Sequence, residues 1–221
     1  MKYFAVLVLV WAGIQSPTAK AGVDPASLLV RVYGFWLSQS PRCTNPIEVF
    51  SETSPSYSDF LQAPQIGTGL VDPGTYPCVI IKMSDVIQHV PEADEGTGCV
   101  AGTTYIQDVC GTSFPLTPKD LDGNSITCTD STDTSAGDAV YVYASTVGTN
   151  TANNNSFAPP TSDTGDGTNG MLLESAYNAE KDSISQFIVN ASGKIQTSTS
   201  TPTVCDMNQP SFAFRQVDSS N

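Results

Sequence analysis

Residues 71–83 read V-D-P-G-T-Y-P-C-V-I-I-K-M. A turn signal, Asp72-Pro73-Gly74, runs straight into the β-branched apolar run Val79-Ile80-Ile81. Pro73 presets φ for the first corner of a turn, and Gly74 is free to take a positive φ at the second. Tyr76 can lay its ring on the edge of a core while its hydroxyl bonds a backbone group. Pro77 cannot donate to a ladder, so it belongs at the first residue of a strand or on an edge. Cys78 is then placed to staple that strand to a neighbour. Each residue has a mechanical role and none needs to be reactive. The stretch predicts a scaffold corner feeding a central strand over Val79–Val86.

Strand signals continue in both directions. Leu28–Leu37 opens the domain, with Val30, Val32 and Trp36 expected on one face and Arg31, Tyr33 and Phe35 on the other. Gly34 inside it suggests a bulge or a close backbone approach. Ile47–Phe50, Phe60–Leu61, Thr103–Val109, Ser125–Thr129, Ala139–Val147, Ile184–Val189 and Phe212–Val217 complete the apolar set. Met171–Lys181 reads as a short helix or as a strand followed by a turn. Short strands separated by Gly/Pro/Asp turns predict an all-β fold, a disulfide-linked β-sandwich of immunoglobulin or prealbumin type with at most that one helix. The polar stretch 145–170 is too long for a simple hairpin and is expected to be a mobile excursion or binding loop. The Ser/Thr run 196–203 reads as a surface connection.

The amino terminus bears on compartment. Lys2 precedes an apolar stretch from Phe4 to Ile14, and Ala19-Lys20-Ala21 supplies the small-x-small pattern of a signal-peptidase site. Residues 1–21 are expected to be a secretory signal and residues 22–221 a single β-sandwich domain. The apolar stretch is too short to span a bilayer, which takes about 20 residues. Membrane insertion after removal of the signal is therefore not expected. Cys43, Cys78, Cys99, Cys110, Cys128 and Cys205 all follow the signal. An even number in an exported chain implies bridges, and six cysteines allow 15 pairings. No C-x-x-C pair occurs, which argues against thiol redox chemistry and ribbon-type zinc sites. Lys2 and Lys20 lie in the signal, so 7 basic residues face 22 acidic ones after it, a formal charge of −15. Such a surface repels phosphate backbones and anionic lipid, so nucleic acid is not an expected partner.

The segment G-T-Y-P-C-V-I-I-K-M-S-D-V-I resembles one in uncharacterised secreted bacterial β-rich proteins. Those proteins also carry a first strand like V-R-V-Y-G-F-W-L-S and a cysteine such as Cys43 ahead of Asn45-Pro46. The resemblance runs as far as Cys128 and implies an exported β-rich domain, with no activity attached. The P-G-T-Y turn is also similar to one in prealbumin-like and pilin-type β-sandwich domains.

Candidate chemistry is sparse. His89 is the only histidine, and no G-x-S-x-G elbow accompanies any serine, so a Ser-His-Asp triad has little to build on. His89 reads as the polar end of the strand that starts at Val79. Asp120-Leu121-Asp122-Gly123-Asn124 sets Asp120, Asp122 and Asn124 at alternate positions, as the first half of an EF-hand loop does. Ser125 and Ser131 then stand where that loop needs glycine and a bidentate glutamate. Calcium is the one cofactor these residues suggest, against the simpler reading of Asp-Gly turn chemistry. Asp163–Asn169 is a second oxygen-rich loop. Asn154 and Asn190 fit the glycosylation sequon. No residue is assigned a catalytic role. The expected function is a secreted or cell-surface structural or adhesive module, a fibre subunit among its forms, associating with itself or with another protein. The alternatives are a calcium-dependent binder of glycan or protein, and a carboxylate-based hydrolase. Extracellular space, cell surface and periplasm all fit.

Overall fold

The computed structural model describes residues 22–62, 71–110, 117–129, 138–151, 154–180, 184–197 and 204–217. The expected signal at 1–21, Ser131 and the 198–203 part of the Ser/Thr run lie outside them. The strands in chain order are β1 (Pro25–Val30), β2 (Val32–Ser38), β3 (Ile47–Ser51), β4 (Ser58–Asp59), β5 (Gly74–Tyr76), β6 (Cys78–Ser84), β7 (Val86–Pro91), β8 (Tyr105–Asp108), β9 (Ala139–Ser145), β10 (Met171–Leu172), β11 (Tyr177–Ala179), β12 (Ile184–Asn190), β13 (Ile195–Thr197), β14 (Cys205–Met207) and β15 (Ser211–Val217). The fold is all-β. Among the described residues the one helical piece is a single 3₁₀ turn, Phe60–Gln62.

Two sheets carry the architecture, ordered β4-β1-β7-β8 and β10-β9-β6-β2-β3. The ribbons β11–β5, β12–β15 and β13–β14 accompany them. Two long segments each serve both sheets. Leu28–Leu37 breaks at Arg31 into β1 and β2, and the run from Val79 breaks at Asp85 into β6 and β7. Strands that switch sheets in this way make the corners of a sandwich. The single strands expected over 28–37 and 79–86 are thus two pairs. A bulge between Val32 and Gly34 lets the first segment turn. Gly34 also makes the close approach its position suggested, since a Cβ there would strike the ring of Trp36.

Strand β6 explains why Val79-Ile80-Ile81 is a run and not an alternation. Val79 and Ile81 enter the main core with Leu28, Val30, Phe35, Leu37, Ile87, Val140 and Val142. Ile80 and Cys78 point the other way, into a second cluster with Trp36, Cys43 and Tyr143. Both faces of β6 are covered, so both sets of side chains are apolar. Ring contacts extend the main core: Phe35 meets Phe187 edge-on at 5.7 Å, and Phe187 stacks on Phe212 at 5.1 Å.

The turn before β6 largely follows expectation. Tyr76 is fully buried and its hydroxyl donates to Asp72 O at 2.8 Å. Gly74, however, does not take the positive φ its sequence allowed; it is already extended as the first residue of β5. Met171–Lys181 takes its strand alternative, because Met171 and Leu172 pair with β9 and Tyr177–Ala179 with β5. These ladders outweigh the helix propensity of the segment. Ser125–Thr129 forms only an isolated bridge from Ser125 to Lys119 rather than a strand.

All six cysteines are paired: Cys43–Cys78, Cys99–Cys205 and Cys110–Cys128, with Cα separations of 5.3, 4.9 and 5.6 Å. They close sequence separations of 35, 106 and 18 residues. Removing Cys99–Cys205 by paired serine substitution is expected to cost about 4–5 kcal/mol, against about 3 kcal/mol for Cys110–Cys128, because the longer loop frees more unfolded-chain entropy. Ile81→Ala, which empties part of the main core, is expected to cost about 2–5 kcal/mol. Urea unfolding midpoints check all three, and the reverse ranking of the two bridges refutes the entropic account.

Candidate functional site

Sheet crossing concentrates polar groups at one corner. The chain passes from β6 to β7 at Asp85, whose N–H donates to Asp138 O at 2.9 Å and whose carbonyl accepts from Val109 N at 2.8 Å. These bonds hold the backbone and turn the side chain inward. Asp85 is 1% exposed, and neither carboxyl oxygen has a hydrogen-bond partner among the described residues. A buried carboxylate without partners is costly to ionise. Burial, then the negative charges of Asp108 and Asp138, raise its pKa to about 6, although nearby backbone amides at Asp138 and Val86 offset part of this. The neighbouring acids are themselves engaged. Asp108 accepts from Cys110 N at 2.7 Å, and Asp138 from Thr129 N at 2.9 Å.

The Cys110–Cys128 bridge lies against this carboxyl. An Asp85 oxygen and both sulfurs fall within 4.8 Å of one another. The sulfurs are spent in the bridge, so the oxidised trio offers a cation a single carboxylate and not a ligand set. Outside the bridge lies a cavity of about 260 Å³ lined by Val109, Cys110, Pro118, Ile126, Cys128 and Phe157, among others. Asp85 does not line it. A hydrolytic acid must touch its substrate, so the raised pKa of Asp85 does not by itself make this cavity a glycosidase cleft.

His89 sits elsewhere than the sequence suggested. It is not the polar end of the strand from Val79 but an interior residue of β7, fully buried, and neither ring nitrogen has a close hydrogen-bond partner among the described residues. Its register partner on β8, Tyr105, stacks on the ring at 5.8 Å. Burial lowers its pKa to about 4, partly offset by the backbone at Cys205.

The two oxygen-rich loops are ordered by their own side chains. Asp120 accepts from Asp122 N, Asn124 N and Asn124 Nδ2 at 3.0, 2.8 and 3.1 Å, which closes the turn. Its carbonyl accepts from the Tyr143 hydroxyl at 2.6 Å. Asp166 accepts from Thr161, Thr168 and Asn169 through backbone and side chain alike, which holds its carboxyl far below the usual carboxylate range despite some burial. Asn154 is buried, and its Nδ2 donates to Thr149 O at 2.5 Å and Gly170 O at 2.7 Å. The described part of 145–170, expected as a mobile excursion or binding loop, is tied together by these bonds. Of the two sequons, Asn154 has its amide nitrogen inside that cap, whereas Asn190 is exposed at the end of β12.

Sequence reasoning missed the Asp85 corner. Its signal was present: one acid interrupting the apolar run V-I-I-K-M-S-D-V-I. The chain matches no family model, no curated protein and no solved structure.

Opposite pH dependences follow from the two buried groups. Asp85 has a folded pKa above its unfolded value, so its penalty on the fold is absent below about pH 3.8 and complete above about pH 6. His89 has a folded pKa below its unfolded value, so its penalty is absent above about pH 6.5 and grows as pH falls toward 4. The melting-temperature gain of Asp85→Asn over wild type is expected to grow from pH 4 to 6, and that of His89→Phe to grow from pH 6.5 down to 4. A pH-independent difference in either variant contradicts the corresponding burial argument.

Proposed function

We propose that the protein is an exported structural or adhesive module that works by contact with another protein or a second copy of itself, and that it is not an enzyme. The observation that carries this reading is the pairing of all six cysteines across segments up to 106 residues apart. Disulfides of this kind form and persist in oxidising compartments. The leader-like residues 1–21 and the strongly acidic composition point the same way. Among the described residues no helix is long and apolar enough to cross a membrane.

The edge strand β3 is the contact surface that fits best. It pairs with β2 on one side, and no described strand pairs with the other. Ile47 on it is 44% exposed. An open edge can accept a partner strand by main-chain bonding, with an exposed apolar side chain adding affinity. The segment Leu28–Leu37 does not serve as an exchanged donor strand in this scheme. It is already interior in both sheets, β1 between β4 and β7 and β2 between β3 and β6.

A second reading has one favouring observation. Loops 117–129 and 154–170 are neighbours, joined by Lys119 N donating to Phe157 O at 2.8 Å and by Asn155 Nδ2 donating to Thr117 O at 3.4 Å. That is the clustering a calcium-dependent binder of glycan or protein needs. Under this reading millimolar calcium gives binding heat and a higher melting temperature, and the absence of both retires it.

The primary reading has two tests. Residues 1–21 fused to a reporter active only after export are expected to give activity, and an inactive fusion together with free thiols in the purified chain overturns export. Ile47→Lys is expected to leave the unfolding free energy within about 0.5 kcal/mol of wild type while weakening self-association or surface binding in sedimentation and adhesion assays. Unchanged association removes β3 as the contact edge.

A further inference from the structure

The three bridges are not equivalent. Cys43, Cys78, Cys99 and Cys205 are all buried, at 5% exposure or less. Cys110 and Cys128 are half-buried and line the 260 Å³ cavity. Thiol–disulfide exchange requires a thiolate to reach a bridge sulfur, so access separates a reactive bridge from an inert one. Beside this one bridge the fold keeps a carboxyl group that is 1% exposed and has no side-chain hydrogen-bond partner among the described residues. A buried acid facing two like charges and no cation is a standing cost to the fold, and such groups call for a reason.

We propose that Cys110–Cys128 is a site of thiol–disulfide exchange with a small or protein dithiol entering through the cavity, and that Asp85 is the proton donor to the departing cysteine sulfur. The dithiol's thiolate attacks one bridge sulfur, forming a mixed disulfide. The Cys110–Cys128 bond breaks, and its electron pair goes to the other cysteine sulfur. That sulfur takes the proton of Asp85, which becomes a carboxylate. The second thiolate of the dithiol then attacks the mixed disulfide and releases the remaining cysteine, protonated from solvent through the cavity. The bridge gains two electrons and the dithiol loses two. The reverse sequence oxidises a dithiol, with the Asp85 carboxylate as proton acceptor.

The absence of a C-x-x-C motif does not oppose this. That motif keeps its two cysteines close in sequence and tunes the thiol locally. Here the sulfurs come from Cys110 after β8 and Cys128 ahead of β9, and the acid from the β6–β7 corner. The charged groups bearing on Asp85 are Asp108 from β8 and Asp138 from the approach to β9, both anionic. The guanidinium of Arg31, at the neighbouring β1–β2 crossing, is directed to Tyr57, 4.6 Å above its ring.

The test is timed reduction of the native protein by dithiothreitol or a phosphine, with acid quench, alkylation and mass spectrometry of each cysteine. Cys110 and Cys128 are expected to be labelled about tenfold faster than the other four, as access dictates. The ratio of wild-type to Asp85→Asn rates at this bridge is expected to exceed one in acid and to fall below one as Asp85 ionises near pH 6. Asp138→Asn removes one anion acting on Asp85 and is expected to move that crossover to lower pH. The crossover separates proton transfer from a merely structural role, which would give a constant ratio. Labelling of all six cysteines together, or a ratio that does not change with pH, overturns the proposal. If Asp85→Asn does not fold, the labelling order and the pH profiles of wild type and Asp138→Asn decide the matter.

Discussion

Strand β6 is bonded on both sides and buried on both faces, and the remaining architecture is arranged around that constraint. It pairs with β2 along one edge and with β9 along the other. No backbone group of an interior strand can turn to water, so both ladders must be complete. Each face then needs its own cover. The main core covers one, and Trp36, Tyr143 and the Cys43–Cys78 bridge cover the other. The outer cover also explains the loops. Tyr143 is buried, and burial beside the Asp120 carboxylate raises its pKa, so its hydroxyl stays protonated and donates to the Asp120 carbonyl.

The polar loops solve a second problem by local means. A chain that leaves β9 and returns as β10 exposes many backbone amides. Asp166 accepts from the N–H groups of Thr161, Thr168 and Asn169, the Thr168 bond in the manner of an Asx turn, and Asn154 Nδ2 donates to the carbonyls of Thr149 and Gly170. Gly148 belongs to the same arrangement, since any Cβ there would collide with the carbonyl of Met171. On the opposite flank, Gln107 of β8 uses its amide as a surrogate backbone, accepting from Met207 N at 2.8 Å and donating to Met207 O at 3.3 Å. That pair attaches the β13–β14 ribbon beside the Cys99–Cys205 bridge. Bonded polar caps thus lie beside a doubly buried strand.

Against that economy the buried pair Asp85 and His89 stands out. Both lie on the chain as it leaves the larger sheet, and neither has a hydrogen-bond partner among the described residues. Their effects on stability oppose each other across the same acid range, so the wild-type chain conceals much of what each does alone. Asp85 has a neighbour that gives its proton a use, the half-buried bridge beside it. His89 stacks on Tyr105 beside the backbone of Cys205, whose bridge is buried.

How much of this was legible in the residues depends on the range of the interaction. Turn chemistry is local, so the Tyr76 corner, the β-strands and the stapling role of Cys78 could be read directly. The continuous run Val79-Ile80-Ile81 marked a central strand for the same reason, while the cover on both its faces came to light only with the sheets packed. The helix alternative over 171–181 could not be decided locally, because ladders to β9 and β5 decide it. The sequence alone determined an all-β, cysteine-rich, acidic chain, since composition and periodicity are summed over neighbours. Only the tertiary structure decided which cysteines meet and that Arg31 and Asp85 are the points where strands change sheets. It alone also put an isolated carboxyl from residue 85 against sulfurs from 110 and 128. Those three positions have no sequence pattern in common, and a shared surrounding of excluded water exists only after the sheets have packed.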